Sequence, residues 1–373
     1  MSSLPLHIGI DISQVAYTGT GVARFTRGLI DAILESKTDH RYTFFFSGLN
    51  RRLDPEIVAQ ITHSGHTSVR WYLPPRALAW LWNERGMQSI GTPLPGQFDV
   101  WISSDWTQPP PQIAHKRVTI LHDMVYALYP DTVDPLILNT QTHRLERVAV
   151  ECDLIISDSK STQHDFEQKF PSFSGTLETW YPGVGDLPPA ASTLPPPLEA
   201  NRYFLAVGKL EPRKNYTNLI SAFEQFVESD ARYSAYKLAI VGPNGWGDQP
   251  HSSNPNVLLL GHVSDEVLSR LYADTTALGM PSLYEGFGYP VVEAMKSGCP
   301  VIASDVSSLA ELIADGAGIG VNPNEVSSIS DAMIKLASHP EARTELSKRG
   351  RARASQYSWN DYVAKLLSAC STV

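Results

Sequence analysis

The chain has 373 residues, 42% of them hydrophobic and 18% charged, with a net charge of -9. This length predicts two domains, each large enough for its own core, and the composition excludes a disordered chain. The acidic charge is spread over both halves, which argues against nucleic acid as a partner but leaves a phosphate ligand open, since a few local cations suffice for one.

Cys152, Cys299 and Cys370 lie far apart and form neither a disulfide framework nor a C-x-x-C metal pair. The start of the chain lacks a basic segment followed by an apolar run, and no apolar stretch reaches the ~18 residues of a membrane span. The expectation is a cytoplasmic protein without a metal or cofactor of its own.

In chain order, Leu6–Asp11 reads as a first strand, followed by the turn Tyr17-Thr18-Gly19-Thr20-Gly21 and a helix over Val22–Glu35. Strand patterns recur at Tyr42–Ser47, Val69–Leu73, Asp99–Ser103, Val118–Leu121 and Asp153–Ser157, and helical periodicity at Pro135–Glu151 and Ser159–Lys169. Pro182, Gly183, Gly185, Pro188, Pro189 and Pro195–Pro197 then break the pattern. Such a stretch sustains neither a helix nor a central strand, so residues 186–200 are expected to be a linker. Beyond it, strands are expected at Tyr203–Val207, Tyr236–Val241, Val257–Leu260, Ala277–Pro281 and Val301–Ser304. Helices are expected at Tyr216–Glu228, Asp265–Ala273, Pro290–Ser297, Val326–Ser338 and Trp359–Ala369. Short apolar strands alternating with helices predict two doubly wound α/β domains, residues 1–185 and 201–356, which bind ligands at the carboxyl ends of their strands.

Four constellations sit at such strand ends. The first is Glu285-Gly286-Phe287-Gly288-Tyr289-Pro290-Val291-Val292-Glu293, with one glutamate in a glycine-containing loop and the other one turn into a helix. Glycines admit close backbone approach, the helix start favours an anion, and carboxylates accept hydrogen bonds from sugar hydroxyls. The second is Gly208-Lys209-Leu210-Glu211-Pro212-Arg213-Lys214-Asn215, whose three cations suit a diphosphate leaving group. The third is His122-Asp123, in which Asp123 could orient the ring or carry a proton. The fourth is Gly19-x-Gly21, which is not a dinucleotide fingerprint because Arg24 stands in place of the third glycine. Each has a plain structural reading too: a helix-start carboxylate, a solvated turn, a packed His-Asp pair.

Taken together, these runs resemble the retaining glycosyltransferases of the GT4 family. Ile156-Ser157-Asp158-Ser159-Lys160, Leu205–Asn215, Gly261-His262-Val263-Ser264-Asp265 and the stretch from Pro281 to Gly298-Cys299-Pro300 carry the likeness, which covers nearly the whole chain. The resemblance implies the GT-B fold: two Rossmann-like domains facing a central cleft, with the last helix (residues 357–373) crossing back to the first, acceptor-binding domain. It implies that His122, Glu285, Arg213 and Lys214 are catalytic. Donor contacts would come from Gly19, Gly21, Gly208, Lys209, Arg213, Lys214, Gly242, Glu285, Gly286, Phe287, Gly288 and Glu293, with Glu285 on the sugar hydroxyls and Glu293 on the ribose. Lys209 stands where many relatives carry Arg. The implied reaction is front-face transfer with retention, the acceptor hydroxyl losing its proton toward the departing phosphate.

The Leu-Glu-Pro-Arg-Lys-Asn string is similar to that of bacterial mannosyltransferases of O-antigen and exopolysaccharide assembly. It implies GDP-mannose as donor and a glycan or polyprenyl-diphosphate-linked glycan as acceptor. Residues 70–85 interleave Trp71, Tyr72, Trp80 and Trp82 with Arg70, Arg76 and Arg85. Such a mixture suits an acceptor site, with Asp123, Trp80 and Trp82 as contacts, or the inner face of a membrane; it equally suits a helix packed on its own core. A UDP-sugar enzyme of the same fold, a non-catalytic nucleotide-sugar-binding subunit, an epimerase, a phosphorylase and a Rossmann oxidoreductase are the competing readings.

Overall fold

The structure is a computed structural model that describes residues 4–17, 19–87, 94, 96–103, 105–247 and 251–371. Thr18 of the glycine-rich turn lies outside the described residues. The chain divides into two compact units, residues 1–183 with 358–373, and residues 184–357.

The first unit is built on seven parallel strands: β1 (His7–Asp11), β2 (Arg41–Ser47), β3 (Thr67–Trp71), β4 (Phe98–Ser103), β5 (Ala114–Leu121), β6 (Leu154–Ser157) and β7 (Thr176–Thr179). Their order across the sheet is β3-β2-β1-β4-β5-β6-β7. The central strands are buried along nearly their whole length, as a parallel sheet covered on both faces requires. The covering helices are α1 (Gly21–Glu35), α2 (Pro55–His63), α3 (Pro75–Ala79), α4 (Val125–Leu128), α5 (Pro135–Glu151) and α6 (Lys160–Lys169), and a π-helical turn, Trp80–Glu84, continues α3. Thr20 caps α1 by accepting from the Ala23 amide at 3.1 Å, and Phe25, Leu29, Ile30 and Ile33 form its buried stripe.

The second unit has six parallel strands, β8 (Tyr203–Val207), β9 (Lys237–Val241), β10 (Val257–Gly261), β11 (Ala277–Met280), β12 (Val301–Ser304) and β13 (Ile319–Val321), ordered β10-β9-β8-β11-β12-β13. Its helices are α7 (Tyr216–Ser229), α8 (Asp265–Asp274), α9 (Tyr289–Ser297), α10 (Ser307–Leu312), α11 (Val326–Ser338) and α12 (Pro340–Ala354). Phe204, Phe223, Phe226, Leu238, Ile302 and Met333 anchor the core on one face of this sheet.

The final helix, α13 (Trp359–Cys370), belongs to the first unit. Its Trp359 and Tyr362 rings meet Phe25 of α1 edge-on, with centroids 5.2 and 5.6 Å apart.

The structure thus has the two doubly wound α/β units expected from the sequence. Among its departures from the expectation, β5 begins at Ala114, four residues before Val118, and β7, β13, α2, α10 and α12 have no counterpart in the expected pattern. Residues 184–200 are part of the second unit rather than a separate linker. Leu198 is buried, the Ala191 amide donates to Glu266 O at 2.9 Å, and Lys296 Nζ reaches Val184 O at 2.6 Å. Strand β3 starts two residues before Val69 and ends at Trp71. Trp82, expected among acceptor contacts, is a core residue at 1% exposure, with its ring 5.6 Å from Phe45 and 6.2 Å from Trp101.

Candidate functional site

In the second sheet the strand order turns between β8 and β11. Open α/β sheets bind ligands at the carboxyl ends of the strands at such a switch point. The two loops that leave β8 and β11 carry the Arg213-Lys214 and Glu285 constellations, and they are sewn together. Leu283 N donates to Arg213 O at 2.9 Å, and Asn215 Nδ2 donates to Pro281 O at 3.0 Å. Asn215 reaches this position in the left-handed conformation, φ 57°, which asparagine tolerates better than most residues.

The loops bring charges together. Lys214 Nζ lies 2.6 Å from Glu285 Oε1, and Arg213 Nη1 lies 2.7 Å from Glu285 Oε2. The other Arg213 nitrogen, Nη2, bonds Glu211 Oε1 at 2.5 Å, and Nη1 also donates to Tyr284 O at 2.6 Å. Glu211, Lys214 and Glu285 are all buried. Burial alone would push the Glu285 carboxyl up, but the Arg213 and Lys214 cations beside it bring it down to about 2. A buried charge that has lost its partner costs about 3–5 kcal/mol, so these four side chains stand or fall together.

The Glu285 loop is held from the strand end next to it. Ser308 Oγ lies 2.8 Å from both Glu285 O and Phe287 O, which share its one proton, Ser307 Oγ accepts from Glu285 N at 3.1 Å, and Ser304 Oγ donates to Ser282 O at 2.6 Å. Gly288 (φ 107°) opens α9, and a Cβ there would come within 2.8 Å of Leu309. Glu293, in the second turn of α9, is buried and accepts from Tyr272 of α8 at 3.2 Å. The Phe287 ring is buried against Tyr289 and Tyr357.

Lys209 stands apart from the other two cations: its ammonium lies over the Trp246 ring, 4.4 Å from the centroid. Gly208 and Gly242 end the neighbouring strands β8 and β9, where a Cβ on Gly242 would lie 2.0 Å from Gly208 O. Gly242 therefore has a packing reason to be glycine, whatever it does for a ligand.

In the first unit, His122 follows β5 and is buried. Its Nδ1 donates to Asp158 Oδ2 at 2.6 Å, at the end of β6. Burial would lower the imidazole's pKa, but the Asp158 carboxylate outweighs it and holds the ring above its ordinary value. Fixing Nδ1 this way leaves Nε2 as the nitrogen that can meet a substrate. Asp158, not Asp123, orients the ring: Asp123 Oδ1 instead accepts from the Val125 amide at 3.1 Å, shaping the turn into α4. The Phe25 ring lies edge-on to His122, 4.7 Å away, so the same phenyl touches both His122 and α13. Gly19 takes φ 82° before the Thr20 cap, and Gly21 is the first residue of α1. Trp80 is 47% exposed with Arg85 over its ring, so it lies on the surface where Trp82 does not.

The sequence reading missed several of these residues. Asp158 lies within the Ile156–Lys160 run, where the sequence alone marks no role for it; its place after a buried strand is the available signal. Glu211, Tyr272, Ser307 and Ser308 were also missed, although the serines follow a strand end. Arg144 of α5 gave no signal: it is wholly buried and donates to Thr119 Oγ1 at 2.8 Å and Ile120 O at 3.1 Å beneath the His122 loop. Among the described residues no cluster of His, Cys, Asp and Glu could hold a metal, and no helix is long and apolar enough to cross a membrane.

The family profile described as "Glycosyl transferases group 1" matches residues 195–353. The chain is 36% identical to O-antigen chain mannosyltransferase B of Escherichia coli over 174 residues, 45% of either chain. It is 30% identical to O-antigen chain mannosyltransferase RfbU of Salmonella typhimurium over 242 residues, 62% of this chain and 64% of that one. The match therefore spans less than two thirds of each relative's length. Sucrose-phosphate synthase from Thermosynechococcus elongatus superposes with a TM-score of 0.71 at 18% identity, covering 98% of both chains. The two units therefore have the GT-B fold.

Proposed function

We propose that this chain, which carries a group 1 glycosyl transferase domain over residues 195–353, moves a hexose from a nucleotide-diphosphate sugar onto a glycan with retention of configuration. GDP-mannose is the donor, its mannose the group transferred and GDP the leaving group, and a glycan or polyprenyl-diphosphate-linked glycan of a bacterial surface polysaccharide is the acceptor. The observation that carries this reading is the buried Arg213–Glu285–Lys214 group at the switch point of the second sheet. Breaking the anomeric C–O bond leaves positive charge on the sugar and negative charge on the diphosphate. Arg213 and Lys214 neutralise the second charge without a metal, and Glu285 accepts from the sugar hydroxyls. Glu293, steadied by Tyr272, takes the ribose hydroxyls. His122, its Nδ1 held by Asp158, offers Nε2 to the sugar near the reacting carbon. The acceptor hydroxyl passes its proton to the departing phosphate oxygen. Two of the relatives are named for O-antigen mannosyl transfer, which supports mannose as the sugar.

Turnover of GDP-mannose, UDP-glucose and UDP-N-acetylglucosamine, with anomeric configuration of the product read by NMR, tests this. An α-mannoside formed from GDP-mannose at an undiminished rate in EDTA supports the reading. Hydrolysis alone, an inverted product, or turnover only with a UDP-sugar contradicts it. The cytoplasmic face of a membrane is the proposed place of work, touched through exposed Tyr72 and Trp80. Flotation with anionic liposomes that Trp80→Ser does not diminish removes that part.

A further inference from the structure

We propose that Glu211 and Glu285 are the built-in counter-ions of the leaving-group site, holding Arg213 and Lys214 until a donor's diphosphate takes the two cations over. This rests on reading Arg213 and Lys214 as the diphosphate-binding residues.

The charge count comes first. Two carboxylates and two cations share one buried group, and they balance. Each cation already has a carboxylate. Lys214 is on Glu285 Oε1 at 2.6 Å, while Arg213 spans Glu285 Oε2 at 2.7 Å and Glu211 Oε1. A diphosphate entering here therefore competes with two carboxylates for the same N–H groups.

The competition has a consequence for Glu285. Once phosphate oxygens draw the two cations away, both Glu285 oxygens lose charge-assisted donors in a buried place. An ionised carboxylate only accepts, so it needs other donors, and the hydroxyls of the donor sugar are of that kind. Capture of the diphosphate then exposes the acceptor atoms that grip the sugar, and a nucleotide sugar is favoured over free sugar. Only hydrogen bonds are exchanged; no covalent bond is made. After transfer the same carboxylates recapture the cations, which promotes release of the nucleoside diphosphate. Glu211 touches neither sugar nor phosphate in this scheme. It is a positioning residue, working through the Arg213 guanidinium.

Calorimetric titration of inorganic pyrophosphate, GDP and guanosine into wild type, Glu211→Gln and Glu285→Gln tests the scheme. Glutamine keeps the shape and removes the charge. Both variants are expected to bind pyrophosphate and GDP about tenfold more tightly, close to one charge-assisted hydrogen bond, with guanosine unchanged. A damaged fold weakens binding, so it cannot mimic this result. Unchanged or weaker pyrophosphate and GDP affinity in both variants, with wild type binding normally, overturns the counter-ion proposal alone. Wild type that binds no nucleoside diphosphate and no pyrophosphate overturns the donor-site reading, and this proposal with it.

Discussion

The two units put their candidate site residues at the same place, the carboxyl ends of parallel strands, yet hold them by different physics. In the second unit Glu285 is clamped by two cations, which bring its carboxyl down to about 2 against the upward push of burial. In the first unit His122 has one carboxylate partner, and its charge turns on the balance between burial and Asp158. One arrangement is a fixed electrostatic frame; the other responds to pH. The difference teaches that a buried group at a strand end is tuned by how many opposite charges reach it, not by the fold that carries it.

Four substitutions sharpen or break this contrast. Arg213→Ala takes from Glu211 its ion-pair partner and leaves Glu285 with Lys214 alone, and we expect it to cost about 3–5 kcal/mol in urea unfolding. A loss under about 1 kcal/mol, the size expected of an exposed pair, contradicts a buried frame.

Asp158→Asn comes next, at about 1.5–3 kcal/mol for a hydrogen bond to a charged group. Its sign depends on pH. In wild type the folded His122 value lies above the unfolded one, so the pair's stability is complete below the ordinary histidine value. It is lost as pH rises through the raised folded value. The melting-temperature gap between wild type and Asp158→Asn should therefore narrow as pH rises past neutrality. A gap that widens with pH breaks the contrast. Glu285→Gln supplies the opposite case. The Glu285 contribution is present above the ordinary glutamate value and fades only as pH falls toward about 2, so the neutral range leaves it untouched.

Ser308→Ala has the smallest expected effect of the four. Its hydroxyl serves two carbonyls of the Glu285 loop, and its loss should cost about 1 kcal/mol of stability. The donor KM should rise several-fold while Lys214→Ala and wild type keep their relative order. An unchanged KM shows that the loop needs no such support.

Much of this was legible in the sequence because the relevant residues sit next to each other along the chain. Arg213-Lys214-Asn215 and Glu285 through Glu293 are contiguous runs between a strand and a helix, and the apolar pattern located those elements to within a few residues. Groups that meet only after folding were not legible. Asp158 reaches His122 across 36 positions, and Lys214 reaches Glu285 across 71. Helix α12 escaped because PEARTELSKRGRARA has almost no apolar stripe; only Gly350 and Ala354 are buried. Trp80 and Trp82 look alike in sequence, but two positions apart on the same helical turn they face different ways, one to solvent and one into the core. Composition could not choose between them.

The central claim is that the Arg213–Glu285–Lys214 group meets the donor's diphosphate. The most direct measurement is acceptor-dependent release of GDP from GDP-mannose by wild type and Lys214→Ala, both checked for native melting. The account predicts release that acceptor stimulates and a variant slower by about 10²–10³, the usual loss for one electrostatic partner of a transition state. A folded Lys214→Ala enzyme that releases GDP at the wild-type rate contradicts it.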